Sequence, residues 1–261
     1  MAGILEDAPN IAMFCDYENV AIGVREADYQ SFEMSKVLER LLDKGQIVVK
    51  KAYSDWDNYK EAKRPMHEAG FEMIEVPHVS YSGKNSADIR LVVDALDMCY
   101  TKPHLDIFVI VSGDSDFSPM VNKLRENNKT VIGLGVKKST SDLLVENCDE
   151  FIYYDDLVRD EQNKSKKEKQ REEQAESGSK EEAIELVLDQ VEALFRERDS
   201  NLFSSLVKQT LQRKRPNFSE GYYGYRNFSE LLEDAEDRGL LELQKDEKSG
   251  GYIVLGFGPK A

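Results

Sequence analysis

The chain has 261 residues, 40% hydrophobic and 33% charged, a globular composition with a high polar load, and its length suggests two domains. A formal charge of −15 argues against a protein that coats polyanions through a basic surface. No run of about 18 apolar residues offers a membrane span, and the acidic stretch Met1–Asn10 does not read as a secretion signal. Cys15, Cys99 and Cys148 lie far apart, as do His67, His78 and His104, which excludes a zinc ribbon or a disulfide scaffold and points to a reducing cytoplasm.

In chain order, short apolar runs at Ile11–Cys15, Ile47–Tyr53, Phe71–Val76, Ile107–Val111, Val131–Val136 and Phe151–Tyr154 alternate with longer amphipathic stretches. Those stretches fall around Phe32–Lys44, Asn58–Ala69, Ser86–Tyr100, Pro119–Asn127 and Thr140–Asn147, and Gly45 and Gly70 stop two of them. Nearly all-apolar strands alternating with helices predict a parallel sheet covered on both faces, hence a three-layer, Rossmann-like α/β domain over residues 1–159. Residues 160–180 hold one apolar residue, Ala175, and read as a charged linker or solvated helix extension. From 181 to 261 the pattern predicts three helices and a hairpin. The first carries Ile184, Val187, Val191 and Leu194, the second opens at an Asp199-Ser200 cap, and the third runs from about Arg226 to Gly239. Leu240–Leu243 and Tyr252–Leu255 then flank a Gly250-Gly251 turn. This is the outline of a small winged-helix α+β domain. Acidity concentrates in the first part, with 28 acids to 18 bases over residues 1–159 against 16 to 11 over 181–261.

Open parallel sheets bind ligands at the carboxyl ends of their strands, where strand order reverses. The first apolar run ends in Asp16-Tyr17-Glu18-Asn19, and the fourth in Ser112-Gly113-Asp114-Ser115-Asp116. In a sheet that winds both ways from its middle, these ends are neighbours. Asp88, after the third run, reaches towards the same crevice. Four carboxylates there repel one another, and hard divalent cations such as Mg2+ or Mn2+ are the matching counter-charge. No glycine-rich phosphate loop follows the first strand, so a dinucleotide site is disfavoured. One or two dications between Asp side chains suit in-line displacement at phosphorus.

FCDYENV at 14–20, GKNSADIRLVVDAL at 83–96 and IVSGDSDFSPMV at 110–121 resemble the NYN domain, a LabA-like relative of PIN-type nucleases, over roughly residues 10–156. The resemblance implies a PIN-like fold, a Mg2+- or Mn2+-dependent ribonuclease site, and single-stranded or structured RNA as substrate. It makes Asp16, Asp88, Asp114 and Asp116 the metal-binding acids and Asn19 the polar partner of the first. Residues 215–243, with the P-x-F, Y-G-Y and F-x-x-L-L spacings, are similar to the OST-HTH or LOTUS winged helix, which implies RNA or protein binding without chemistry of its own. There Lys208, Arg213, Lys214, Arg215 and Arg226 alternate with Tyr222, Tyr223 and Tyr225, a mixture able to grip phosphate and stack bases.

Each candidate has a plainer reading. Asp16, Asp114 and Asp116 suit turn or helix caps, and Asp88 is an ordinary acid of a first helical turn. Ser112 and Ser115 suit either a turn or water and phosphate contact, and Lys84 suits phosphate contact or plain solvation. Asp94 and Asp97 read as solvated, Trp56 as a cover for a helix start rather than a base-stacking surface, and Cys15 and Cys99 as buried hydrophobes. The favoured function is a metal-dependent endoribonuclease whose winged helix selects RNA. Its rivals are an RNA-binding regulator without chemistry and a haloacid-dehalogenase-like phosphatase. Glu18 tells against the phosphatase, because it stands where that enzyme wants a second Asp.

Overall fold

The six apolar runs of the first part form six strands: β1 (Asn10–Asp16), β2 (Gln46–Ser54), β3 (Glu72–Glu75), β4 (Ile107–Val111), β5 (Thr130–Gly135) and β6 (Glu150–Tyr153). The computed structural model describes residues 8–76, 86–159, 180–197, 202–216, 218–246 and 250–261, and the chain divides into two compact units, Met1–Gln162 and Asn163–Ala261. Lys84, the Asp199-Ser200 cap and nearly all of the 160–180 linker lie outside the described residues.

All neighbouring strands of the first unit run parallel, in the order β3-β2-β1-β4-β5-β6. Order therefore reverses between β1 and β4, which pair from Ile11–Ile107 to Cys15–Val111. The helices are α1 (Tyr17–Glu26), α2 (Met34–Lys44), α3 (Lys60–Glu68), α4 (Ser86–Thr101), α5 (Ser118–Glu126) and α6 (Asp142–Asn147), and residues 154–159 are helical too. Alternate strand residues separate cleanly onto the two faces, as the pleat requires. Ile11, Met13, Cys15, Val109, Val111 and Leu134 pack with Val20, Val24, Val37 and Leu41 of α1 and α2. Ala12, Phe14, Phe108, Ile110 and Val131 face Leu91, Ala95, Val121, Leu124 and Leu144 of α4, α5 and α6. Every residue of β4 is buried, which is why it reads as an unbroken apolar run.

Two helices of the first unit, α1 and the one at residues 154–159, escape the sequence pattern. α1 follows β1 with no intervening loop, and its β-branched residues and Gly23 disguise a helical period. Gly23 is bare for a packing reason: a Cβ there would run into Ser139 and Val136 of the segment after β5. Trp56 is buried, and its indole nitrogen donates to the Ile74 carbonyl at 3.1 Å, so it covers the β2–β3 end of the sheet. Asp94 is not solvated as expected. It accepts from the buried Tyr53 hydroxyl at 2.9 Å and from Arg90 at 3.1 Å, with Lys51 3.6 Å away, and so fixes α4 to β2. Asp97 is exposed.

The second unit contains α7 (Lys180–Glu197), α8 (Ser204–Lys214) and α9 (Phe228–Asp237) with an antiparallel sheet in the order β7 (Leu202–Phe203), β9 (Tyr252–Phe257), β8 (Leu241–Lys245). Its second helix starts later than the sequence predicts, because Leu202 and Phe203 pair with Val254 and Ile253. Asn227 caps α9 by accepting from the Glu230 N–H at 2.9 Å, and Glu230 in turn accepts from the Arg226 N–H at 2.6 Å, a reciprocal cap. Gly239 ends the helix at φ +76, in the left-handed region that favours glycine. Among the described residues no helix is long and apolar enough to cross a membrane.

Tyr225 ties this unit together. Its hydroxyl donates to Asp234 at 2.6 Å, and Arg238 donates to the same carboxylate at 2.9 Å. Tyr225→Phe is expected to destabilise the full chain by about 1–2 kcal/mol, since one charge-assisted hydrogen bond goes while the ring stays. Urea unfolding followed on the second unit checks this, and an unchanged midpoint would show that the bond contributes nothing.

Candidate active site

β1 and β4 deliver their last residues to one mouth of the first unit. Asp16 closes β1 with extended backbone and caps α1, its Oδ1 accepting from the Asn19 N–H at 3.3 Å. Its Oδ2 accepts from the hydroxyl of the fully buried Ser112, just past β4, at 3.1 Å. The same Ser112 oxygen accepts from the Asp114 N–H at 3.2 Å, and the Gly113 N–H donates to the Asn19 side-chain oxygen at 2.8 Å. Two of these hydrogen bonds, Ser112 to Asp16 and Gly113 to Asn19, lace the two strand ends together. Asp114 Oδ1 accepts from the Asp116 N–H at 2.9 Å and caps the short turn Ser115–Phe117. Capping is therefore real for Asp16 and Asp114, and it occupies only part of each carboxylate.

Gly113 packs against the segment after β5. Its carbonyl accepts from the Ser141 N–H at 2.9 Å, and a Cβ would meet the Ser139 carbonyl oxygen. Asp116 lies exposed in the turn, and no side chain caps α5, so the plainer cap reading of Asp116 does not hold. Ser115 is half-buried beside it.

The electrostatics bring the acids together. Burial pushes the Asp16 carboxyl up from 3.8 to about 7, and the charge of Asp88 adds to this, against the hydrogen bonds from Asn19 and Ser112. Asp88, in the first turn of α4, is pushed up to about 6 by burial and then by Asp114, Asp116 and Glu18. Asp88 is therefore the carboxylate that feels both strand ends. Among the described residues no basic group relieves either acid. Glu18 is the functional candidate that sequence reasoning passed over: it raises both Asp16 and Asp88 from the first turn of α1. Its signal was its position, two residues beyond a strand-terminal Asp at a helix start.

Oxygen donors among which Asp16 and Asp88 have no basic group from the described residues to relieve them fit a hard dication. No three His, Cys, Asp or Glu side chains among the described residues are gathered closely enough to hold an ion as they stand. Magnesium commonly takes only one or two carboxylates and keeps several waters, so the donor chemistry and this spacing are compatible.

The second unit sorts its candidates differently. Tyr225, a candidate for RNA contact, is 3% exposed with its hydroxyl committed to Asp234, so it forms the core half of a tyrosine group that is half core and half surface and does not stack a base. Lys208 pairs its amine with Glu220 at 2.7 Å and lies over the Phe228 ring, with its side chain still 38% exposed. Arg213 turns inward onto the buried Thr210 at 2.8 Å. Arg215, Arg226 and Tyr222 are exposed and Lys214 and Tyr223 half-exposed, with Tyr222 edge-on to Tyr223 at 5.0 Å.

A doubly wound parallel sheet with an acidic mouth at its switch point defines an α/β domain of the PIN-like kind. The chain matches the NYN domain over residues 10–155 and belongs to that family, which lies in the PIN-like nuclease superfamily. An uncharacterized protein of Methanocaldococcus jannaschii is 28% identical over 142 residues, 53% of this chain and 56% of the relative, so the chain spans little more than half the length of that relative. A crystal structure of a protein of unknown function from Vibrio parahaemolyticus is similar with a TM-score of 0.52 and 28% identity, covering 58% of this chain and 96% of that one.

The raised carboxyls make a stability prediction. A group whose folded value lies above its unfolded value holds its proton more tightly when folded, so its ionisation destabilises the fold as pH rises. Asp16 therefore costs stability increasingly from about pH 4 to 7 and fully above that. Asn keeps the cap and mimics the neutral acid. In chelator, Asp16→Asn is expected to exceed the wild type in stability by roughly 1–3 kcal/mol at about pH 8, with little difference left near pH 4. Denaturant melts across that range check it, and a variant less stable at both ends would refute the assignment.

Proposed function

We propose that the protein is a divalent-metal-dependent endoribonuclease whose second unit is a winged helix of the OST-HTH/LOTUS kind that binds RNA. The carrying observation is a carboxylate, Asp16, buried at the β1–β4 switch point beside the charge of Asp88 with no base among the described residues to offset them. One or two of Asp16, Asp88 and Asp114 would hold Mg2+ or Mn2+ directly, with the remaining acids, Asp116 and Glu18 adding charge at the rim. When bound, the dication supplies a nucleophile at neutral pH and offsets charge at phosphorus during in-line displacement.

The chain's own residues set the geometry. Ser112 orients Asp16, while the Asn19–Gly113 bond and the Ser112–Asp114 bond hold the acidic turn in place. Proton and cation compete for Asp16 and Asp88, so dication affinity rises with pH across roughly 6 to 7.

The test incubates labelled single-stranded and structured RNAs with Mn2+ or Mg2+. Asp114→Asn is expected to lower the cleavage rate at least about 100-fold, and chelator to abolish it. Cleavage that survives both would sink the nuclease reading. The spacing of the acids leaves one rival in play, an RNA-binding regulator without chemistry, and RNA binding without cleavage in either metal would favour it.

Three helices with a small antiparallel sheet support the winged-helix reading of the second unit. Its phosphate contacts then fall to Arg215 and Arg226, both exposed. Reversing both to Glu is expected to weaken RNA binding about tenfold or more and to flatten its salt dependence by about two counterions. Unchanged affinity would assign this unit to a protein partner instead.

A further inference from the structure

When ionised, Asp16, Glu18, Asp88, Asp114 and Asp116 carry more negative charge at the mouth than one dication offsets. A polyanion drawn to the metal is still repelled there, so its neighbouring phosphates need cations close by. The α4–α6 side of the mouth supplies none. On that side a groove of about 770 Å³ shares Asp88 and Asp116 with the mouth and is walled by Ile89 and Val93 of α4, Ser118 of α5 and Leu143 of α6. No Lys or Arg among the described residues lines it.

The α1 side differs. β5 ends at Gly135, and the turn Lys137–Ser139 follows it. The segment is pinned at both ends: Asp155 accepts from the Lys137 N–H at 2.8 Å, and the Ser141 N–H donates to the Gly113 carbonyl at 2.9 Å. Ser139 fits between α1 and the acidic turn, where a Cβ on Gly23 or on Gly113 would strike it. Lys137 and Lys138 therefore ride on fixed backbone that touches the residue before Asp114, and both are exposed. The Lys137 amine lies 5.8 Å from the centre of the Tyr153 ring, and the Lys138 amine donates to the Glu26 carbonyl at 2.6 Å. Neither forms an ion pair with a carboxylate of the described residues.

We propose that Lys137 and Lys138 are a phosphate-binding subsite, which holds the strand by the backbone beside the phosphate at the acids. A contact to a ring and a surface bond to a carbonyl are readily exchanged for charge-assisted bonds to phosphate oxygens. Contacts of this kind fix register and direction without reading sequence. The assignment rests on reading the acids as a nucleic-acid site. It adds a path that the carboxylates alone do not impose: the strand leaves the mouth past the end of β5, on the α1 side, and not along the groove.

Fluorescence anisotropy of the full chain with Ca2+ tests it, using a labelled ten-nucleotide 2′-O-methyl RNA with a neutral methylphosphonate placed at each position in turn. In the wild type, neutralising one or two neighbouring positions is expected to weaken binding about fivefold. In the Lys137→Gln/Lys138→Gln variant the same positions are expected to cost nothing further, the coupling that a direct contact requires. Lys137→Arg/Lys138→Arg is expected to keep the wild-type sensitivity. Both side chains are exposed and Gln retains the main-chain N–H that Asp155 holds, so the fold should tolerate either change. Positions whose cost disappears instead in Arg215→Glu/Arg226→Glu belong to the second unit. Sensitivity that persists at every position in the glutamine variant overturns the proposal. A loss spread evenly over all positions overturns it as well, since it marks a diffuse field and no contact, and so does failure of the wild type to bind the strand. Lack of RNA cleavage in Mn2+ would count against the nuclease reading alone, because binding is measured without turnover.

Discussion

The carboxylate of Asp16 sits where two hydrophobic layers and a polar mouth meet, and the first unit is arranged around that conflict. A parallel sheet covered on both faces leaves polar groups only the strand ends, and β1 and β4 diverge above their last paired residues, Cys15 and Val111. Asp16, the next residue of β1, takes a hydrogen bond from Ser112 and stays too deep for its charge to be well solvated. Placing Asp88 near it from α4 raises the cost further. Structures rarely keep such an arrangement unless something of opposite charge arrives.

The surrounding bonds read as scaffolding for these acids. Asn19 comes from α1 and Gly113 from the turn after β4, so one amide joins the two halves of the doubly wound sheet. α4 has two faces with different duties. Its inner face buries Leu91, Ala95 and Cys99, and Asp94 anchors it to Tyr53 of β2. Its outer face presents Ile89 and Val93 along the groove. Anchoring the helix at Asp94 also fixes the start that carries Asp88.

The strands were legible because burial on both faces demands unbroken apolar runs, and each run of the first unit lies within a residue or two of its strand. The acids were legible because open parallel sheets expose chemistry only at strand ends. α1 was not, since tertiary packing of Gly23 against Ser139 and Val136 overrides its weak helical period. Glu18 stayed hidden for the same reason: its place at the mouth depends on a helix that the pattern did not show. In the second unit, alternation of bases and tyrosines could not distinguish a residue facing water from one facing Asp234, and Tyr225 fell on the inner side. The groove was invisible as well, because Leu143, Ser118 and Val93 come together only through folding.

The deep position of Asp16 sets fold robustness against retention of charge. A lineage that stopped using the mouth would gain thermodynamically from replacing this acid, since the substitution leaves packing and cap in place while lifting a desolvation burden. Drift would then carry such chains towards sturdy, inert copies of the same scaffold. On the proposed dication reading, the ionised form is what such drift would give up.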